Sequence, residues 1–158
     1  GIYARVSKKI GGWLRGQLLL SVIAGIVTFL GLWLLGVKYS LLLGLLASLF
    51  EIVPFVGPIL TGTIAILIGL GDSLSLGFYV LILFIVIQQL ENNTLVPLVM
   101  RYTTSLNPVI ILAAVMIGGT VFGVVGLILA VPVAVFLEEA FESWTHEKKR
   151  RRKSKLGA

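Results

Sequence analysis

Two glutamates of this sequence lie inside strongly apolar stretches, where a charged side chain is costly. Glu51 belongs to the segment EIVPFVGP and Glu91 to the segment QQLENNTLVPLVM. Ionisable residues within a membrane span mostly face a cavity or a partner. Either carboxyl group could therefore bind a cation or exchange a proton, as an ion-coupled carrier requires. The alternative is that each acid only ties helices together, Glu51 through Lys38 or Arg101 and Glu91 through neighbouring amides.

Helix breakers follow the first of these acids. Pro54 has no N–H group and cannot continue a helix, so the carbonyl groups around it need another partner. A cation, a water molecule or a polar ligand could be that partner, because the ends of broken helices offer free N–H and carbonyl groups. We therefore predict a path for a solute or an ion, lined by Glu51, Pro54, Gly57, Pro58 and Glu91.

Composition and charge place these residues in a membrane protein. Of the 158 residues, 58% are hydrophobic and 13% are charged, and the mean hydropathy is +1.06, far above that of a soluble domain. The net charge of +6 comes from an N-terminal basic cluster and the C-terminal tail EKKRRRKSK. Flanking apolar spans, these clusters indicate contact with anionic lipid and a cytoplasmic location for both ends, more than binding to nucleic acid.

The expected fold class is all-α, a polytopic helical bundle in the inner (cytoplasmic) membrane with broken or re-entrant helices. We divide the chain into an interfacial basic segment at 1–16, a transmembrane domain at 17–137 and a basic cytoplasmic tail at 138–158. Two cytoplasmic ends require an even number of crossings, and four is the simplest count. The alternative is that residues 41–70 and 109–137 each form a hairpin.

Small and polar residues at helical spacing mark the faces that pack. The first span, from Gln17 to about Leu35, carries one such stripe: Gln17, Ser21, Ala24, Gly25 and Thr28. A second stripe leads up to the break and ends at Glu51, so we expect this glutamate to point toward other helices. Asp72 or Ser73 is the expected N-cap of a helix from about Leu74 to Leu90.

The segments 88–108 and 109–137 each allow more than one interpretation. The polar stretch 88–108 is either a loop in solvent or a segment that re-enters the bilayer, where only protein or water can satisfy an irregular backbone. The last apolar region, 109–137, contains a seam of small residues that lets another backbone approach closely. Its glycines Gly119, Gly123 and Gly126 are the expected helix-packing residues, and we expect a homo-oligomer.

No enzyme is indicated. There is no cysteine, and we expect neither a cofactor nor a metal site. The letters GDSL at 71–74 open a hydrolase motif, but that motif needs a histidine with an acid three residues earlier. Here the one histidine is His146 and residue 143 is a serine.

Three blocks together resemble the autoinducer-2 exporter family, the PerM-type permeases. They are LLLGLLASLFEIVPFVGPILTG (41–62), QQLENNTLVPLVM followed by LNP, and GGTVFGVVGLILAVPVA (118–134). The resemblance covers about 17–137 and corresponds to the C-terminal part of a family member. The chain departs from the family pattern at Leu98, Arg101, Ser105 and Asn107.

The resemblance implies an exporter of a small solute such as autoinducer-2, a quorum-sensing signal. Other members imply an alternative, a sodium/proton antiporter, and a membrane module that assembles without transporting remains a further alternative. The family pattern also extends the predicted path to Gln88, Asn92, Pro97 and Pro108, and we include Asn107 next to Pro108, although it departs from that pattern.

Overall fold

The structure is a computed structural model, and it describes residues 1–100 and 107–156 of the chain. Its helices are α1 (Ile2–Leu34), α2 (Ser40–Phe50), α3 (Val56–Asp72), α4 (Leu74–Leu90), α5 (Val96–Met100) and α6 (Pro108–Leu156). A π-helical turn, Glu91–Leu95, joins α4 to α5. No strand occurs in the described part of the chain, so the all-α prediction is confirmed.

Three stretches of the described chain are long and apolar enough to cross a membrane. They are Ile2–Leu34, Leu74–Val99 and Val109–Lys149. The two shorter apolar helices, α2 and α3, have 11 and 17 residues. The chain forms two compact units, a larger one at Trp13–Ser105 and a smaller one at Gly1–Gly12 with Leu106–Ala158.

In the larger unit, α2 and α3 form an antiparallel hairpin. Lys38, just before α2, donates a hydrogen bond to Asp72 at the end of α3, with 2.9 Å between Nζ and Oδ1. At the other end, Gly57 lies directly against the backbone of Phe50. Of the two alternatives for residues 41–70, the hairpin is therefore correct.

The core of the larger unit joins all of its long helices. Its buried cluster consists of Leu32, Val37, Leu43, Ala65 and Val80. The predicted stripe of α1 is buried as expected, with Gln17, Ser21, Ala24 and Thr28 each no more than 4% exposed. The opposite side of α1 exposes large apolar residues such as Leu18, Val22 and Ile26, as a surface that meets lipid would.

The start of α4 agrees with its predicted cap. Ser73 has extended backbone angles, and its Oγ accepts a hydrogen bond from the N–H of Leu76 at 3.0 Å. This bond satisfies one of the N–H groups that a helix leaves free in its first turn. The helix then runs without interruption into the π-helical turn and α5. Residues 88–100 are helical, so the loop prediction is wrong for them. Entry of this segment into the bilayer stays a prediction, and residues 101–106 lie outside the described part of the chain.

In the smaller unit, α6 is broken at Gly123. This residue has φ +63° and ψ −137°, which are not helical angles and which a side chain would strain. The two arms of α6 lie against each other, since a methyl group on Gly126 would overlap the carbonyl oxygen of Gly118. Residues 109–137 therefore also form a hairpin, whereas Pro132 lies within a continuous arm.

Ion pairs hold the first residues of α1 to the end of α6. Arg5 Nε lies 3.0 Å and Lys9 Nζ 2.8 Å from the carboxylate oxygens of Glu139, whose side chain is 2% exposed. Arg5 also donates a hydrogen bond to Ser143 Oγ at 3.0 Å. Two residues that were expected to meet lipid headgroups thus pair with an acid of the same unit.

Candidate functional site

The tip of the α2–α3 hairpin is shaped by residues that cannot form regular helix. Pro54 supplies no N–H, and Phe55 has φ +68°. The turn is closed by single backbone bonds, from Val53 N–H to the Phe50 carbonyl at 3.1 Å and from Gly57 N–H to the Val53 carbonyl at 3.3 Å. The backbone of Gly57 can approach Phe50 because it carries no Cβ.

Glu51 lies at this tip and is 9% exposed. Its N–H continues α2 by donating to the Ala47 carbonyl at 3.0 Å. Its carbonyl, freed by the break, accepts a hydrogen bond from the side-chain amide Nε2 of Gln17 on α1. The sequence predicted that such a carbonyl needs another partner, and that partner is a side chain of the protein itself.

Glu91 opens the π-helical turn and is 6% exposed. Its carbonyl accepts a hydrogen bond from the N–H of Val96, five residues later. This wider turn directly precedes Pro97, whose ring would clash with a carbonyl of a regular α-helix. The π-helical turn therefore lets the chain stay helical where a loop was expected.

Both carboxylic acids line one small cavity inside the larger unit, which we call the carboxyl cavity. Its volume is about 10 Å³. Helices α1, α2, α3 and α4 all contribute to its wall. The lining residues are Ala24, Thr28, Ala47, Glu51, Gly57, Pro58, Thr61, Phe84, Ile87, Gln88 and Glu91.

Among the described residues, the charged groups that line the carboxyl cavity are all acidic. Glu51 and Glu91 both lie in its wall, and no basic residue of the described ranges does. Two ionised carboxylates in a site of low polarity repel each other, so a proton or a cation stabilises the pair. Proton or cation exchange is the chemistry that this arrangement supports. Across residues 1–100 and 107–156, no group of three metal-ligating side chains could hold a metal ion.

Lys38 is not the partner of Glu51. It pairs with Asp72 at the end of the hairpin opposite to Glu51, and this hydrogen bond raises the pKa of Lys38 above its ordinary value. The idea that Glu51 ties helices together through Lys38 is therefore wrong. The other suggested partner, Arg101, lies outside the described residues.

The remaining predicted path residues do not all meet at the cavity. Gln88 lines it and donates to Asn92 Oδ1 at 3.2 Å, whereas Asn92 and Pro97 are exposed. Pro54 is half-buried at the hairpin tip. Asn107 belongs to the smaller unit, where its Oδ1 accepts from the N–H of Val109 at 2.9 Å and caps α6. Pro108 begins α6, but its side chain lies outside the described part of the chain.

The predicted packing glycines have separate roles in the α6 hairpin. Gly126 packs on Gly118, and Gly119 faces the side chain of Leu127. Gly123 instead forms the break and would meet no atom within 4 Å if it carried a Cβ. The seam of small residues is thus used, at least at Gly126, for contact within one chain.

Sequence reasoning missed three polar residues of the site. Gln17 and Thr28 stood in the predicted packing stripe, but nothing in their spacing linked them to Glu51. Thr61 had a weaker signal, a hydroxyl group three residues after Pro58 in an apolar helix. Their roles depend on which helices meet at the hairpin tip, and a single sequence does not contain that information.

Comparisons with known proteins show that the chain is similar to part of several transport proteins. The family model described as AI-2E family transporter matches residues 1–146. The candidate transport proteins YueF and YrrI of Bacillus subtilis are 32% and 34% identical to the chain, over 98% and 84% of it. The candidate permease PerM of Escherichia coli is 29% identical over 90% of it. These matches cover 42%, 38% and 41% of the respective relatives, so the chain spans about two fifths of their length. No solved structure matches the chain.

Proposed function

The chain belongs to the AI-2E transporter family, and we propose that it forms part of a membrane transporter whose coupling ion binds in the carboxyl cavity. One observation carries the proposal: Glu51 and Glu91, from different helices, are both buried in the wall of one cavity, and no basic residue lines that cavity in the described part of the chain. Burying two acids side by side is costly for a purely structural site. Two such acids suit a site where a proton or a cation binds and leaves, because the bound ion relieves their repulsion.

For the transported molecule, we propose a small solute such as autoinducer-2, on the strength of the family. A cavity of about 10 Å³ admits a water molecule or a small ion, so a larger solute would need the hairpin tip and α4 to separate. The size of the cavity and its two acids favour a second candidate as well, the exchange of sodium ions for protons.

Flux measurements on the full-length protein in proteoliposomes test both candidates. Autoinducer-2 release and sodium-driven proton movement are measured for the wild type, Glu51→Gln and Glu91→Gln. The exposed Glu142→Gln serves as the matched control, because it removes the same charge at a residue that does not line the cavity. We expect both cavity variants to lose most of the flux and the control to keep it. Unchanged flux in both cavity variants would reject the assigned roles.

We also propose that the protein lies in the inner cell membrane with the ends of this chain in the cytoplasm, supported by the basic clusters at both ends. Homo-oligomerisation stays a prediction. Substituting Gly126 does not test it, because Gly126 packs on Gly118 of the same chain. Cross-linking of the intact protein in membranes is the suitable measurement.

A further inference from the structure

The wall of the carboxyl cavity contains a hydroxyl group that has no hydrogen-bond partner in the described part of the chain. Thr61 is fully buried, and its Oγ1 makes no hydrogen bond to any described residue. A buried polar group left unpaired costs about 1–3 kcal/mol. Groups of this kind in native proteins are usually satisfied by an ordered water molecule.

The space next to this hydroxyl suits a single water molecule. The cavity volume of about 10 Å³ is at the lower limit for one water, which also needs two to four polar partners. Thr61, Glu51, Glu91 and Gln88 provide such groups on three different helices. An apolar ligand would leave the Thr61 hydroxyl unpaired, and an organic solute would not fit.

We propose that Thr61 is a positioning residue that holds one water molecule between Glu51 and Glu91, and that this water passes a proton between them. The protonated carboxyl group of one glutamate gives its proton to the water oxygen while the water gives one of its own to the other carboxylate. One O–H bond breaks and one forms on each side, so the water is unchanged and one proton has moved from α2 to the end of α4.

Glu51 and Glu91 have no other titratable neighbour in the described wall of the cavity. Among the lining residues from α1, α2, α3 and α4, the titratable groups are Glu51 and Glu91. Gln88 is the remaining lining side chain with an amide, and its Nε2 already donates to Asn92. The two acids therefore hold a shared proton with no competing base in the described wall of the cavity.

This inference rests on the proposed function only for the use of the proton, since the water and its contacts can be measured without transport. Infrared difference spectra of the full-length protein in nanodiscs, recorded across a pH step, report both features. Exchange into water labelled with heavy oxygen shifts the O–H band of a tightly held water but not that of a threonine. The carbonyl stretch of a buried carboxylic acid reports the glutamates.

Three substitutions distinguish a role of Thr61 in holding the water from a role in packing alone. Thr61→Val keeps the shape but removes the hydroxyl, so we expect the shifted water band to disappear. Thr61→Ser keeps the hydroxyl and should retain the band. Thr63→Val is the matched control on the same helix, because Thr63 is exposed and its Oγ1 already bonds to the Ile59 carbonyl at 2.7 Å. It should leave the spectrum unchanged.

Proton sharing has its own readout. We expect Glu91→Gln to shift the carboxylic acid band that Glu51 contributes, because the two groups bond through the same water. A water band that is missing from the wild type or that survives in Thr61→Val would overturn the proposal, and so would a Glu51 band that Glu91→Gln leaves in place. Absence of flux in the wild type, with both bands present, would instead reject the proposed transport function alone.

Discussion

Substituting Gly57 by alanine tests the geometry that brings Glu51 to the carboxyl cavity. A Cβ at this position would lie 2.6 Å from both the carbonyl carbon and oxygen of Phe50, and 2.7 Å from the N atom of Glu51. All three are backbone atoms, so no change of side-chain rotamer can relieve the overlap. The hairpin tip must move, at a cost of about 1–3 kcal/mol, the usual range for overpacking.

Thermal unfolding of the full-length protein in detergent micelles measures this cost, with Gly71→Ala as the matched control. Gly71 lies in the same helix and would meet nothing within 4 Å if it carried a Cβ. Alanine is favoured over glycine in a helix by roughly 1 kcal/mol. We expect the melting temperature to fall for Gly57→Ala and to stay or rise for Gly71→Ala. Equal melting temperatures in the two variants would refute the close approach at the tip.

Three further predictions concern other contacts. Gln17→Leu removes the donor for the freed carbonyl of Glu51, so the free energy of unfolding should fall by about 1–3 kcal/mol; an unchanged value from denaturant titration would contradict this bond. Gly126→Ala forces the arms of α6 apart because its methyl group overlaps the Gly118 carbonyl; a cysteine cross-link between the arms should then form more slowly than in the wild type. The pKa of Lys38 is raised by its aspartate partner, above its value in the unfolded chain. The stabilisation is therefore present at neutral pH and is lost as the pH rises through the raised pKa. When the melting temperature is measured against pH, it should fall in the alkaline range for the wild type and fall less for Lys38→Met.

Helical periodicity was enough to predict which faces are packed. The stripe from Gln17 to Thr28 is buried, and so are Gly44, Ala47 and Glu51 of the second stripe, whereas its Ser40 and Ser48 are half-buried. Small and polar residues face other helices when the opposite face must be apolar. The cap at Ser73 was also predictable, since its signal is local. These features depend on residues within one or two turns of each other.

The breaks were less predictable because they depend on contacts between distant segments. The sequence indicated Gly118, Gly119 and Pro132 as the interruptions of the last apolar region, and it assigned Gly123 only to helix packing. The structure places it at Gly123, where positive φ is needed, and uses Gly118 for the close contact with the opposite arm. Likewise, the π-helical turn keeps the chain helical before Pro97, and a propensity argument favours a loop there.

Labelling of single cysteines tests most directly whether the carboxyl cavity belongs to a transport path. The chain itself contains no cysteine, so Ala47→Cys in the cavity wall and the exposed Ile59→Cys, which we expect to face lipid, can be compared in a full-length protein otherwise free of cysteine. We predict that membrane-impermeant thiol reagents reach Ala47→Cys from both sides of the membrane while the protein transports, and do not reach Ile59→Cys. Protection of Ala47→Cys from both sides during active transport would contradict the account.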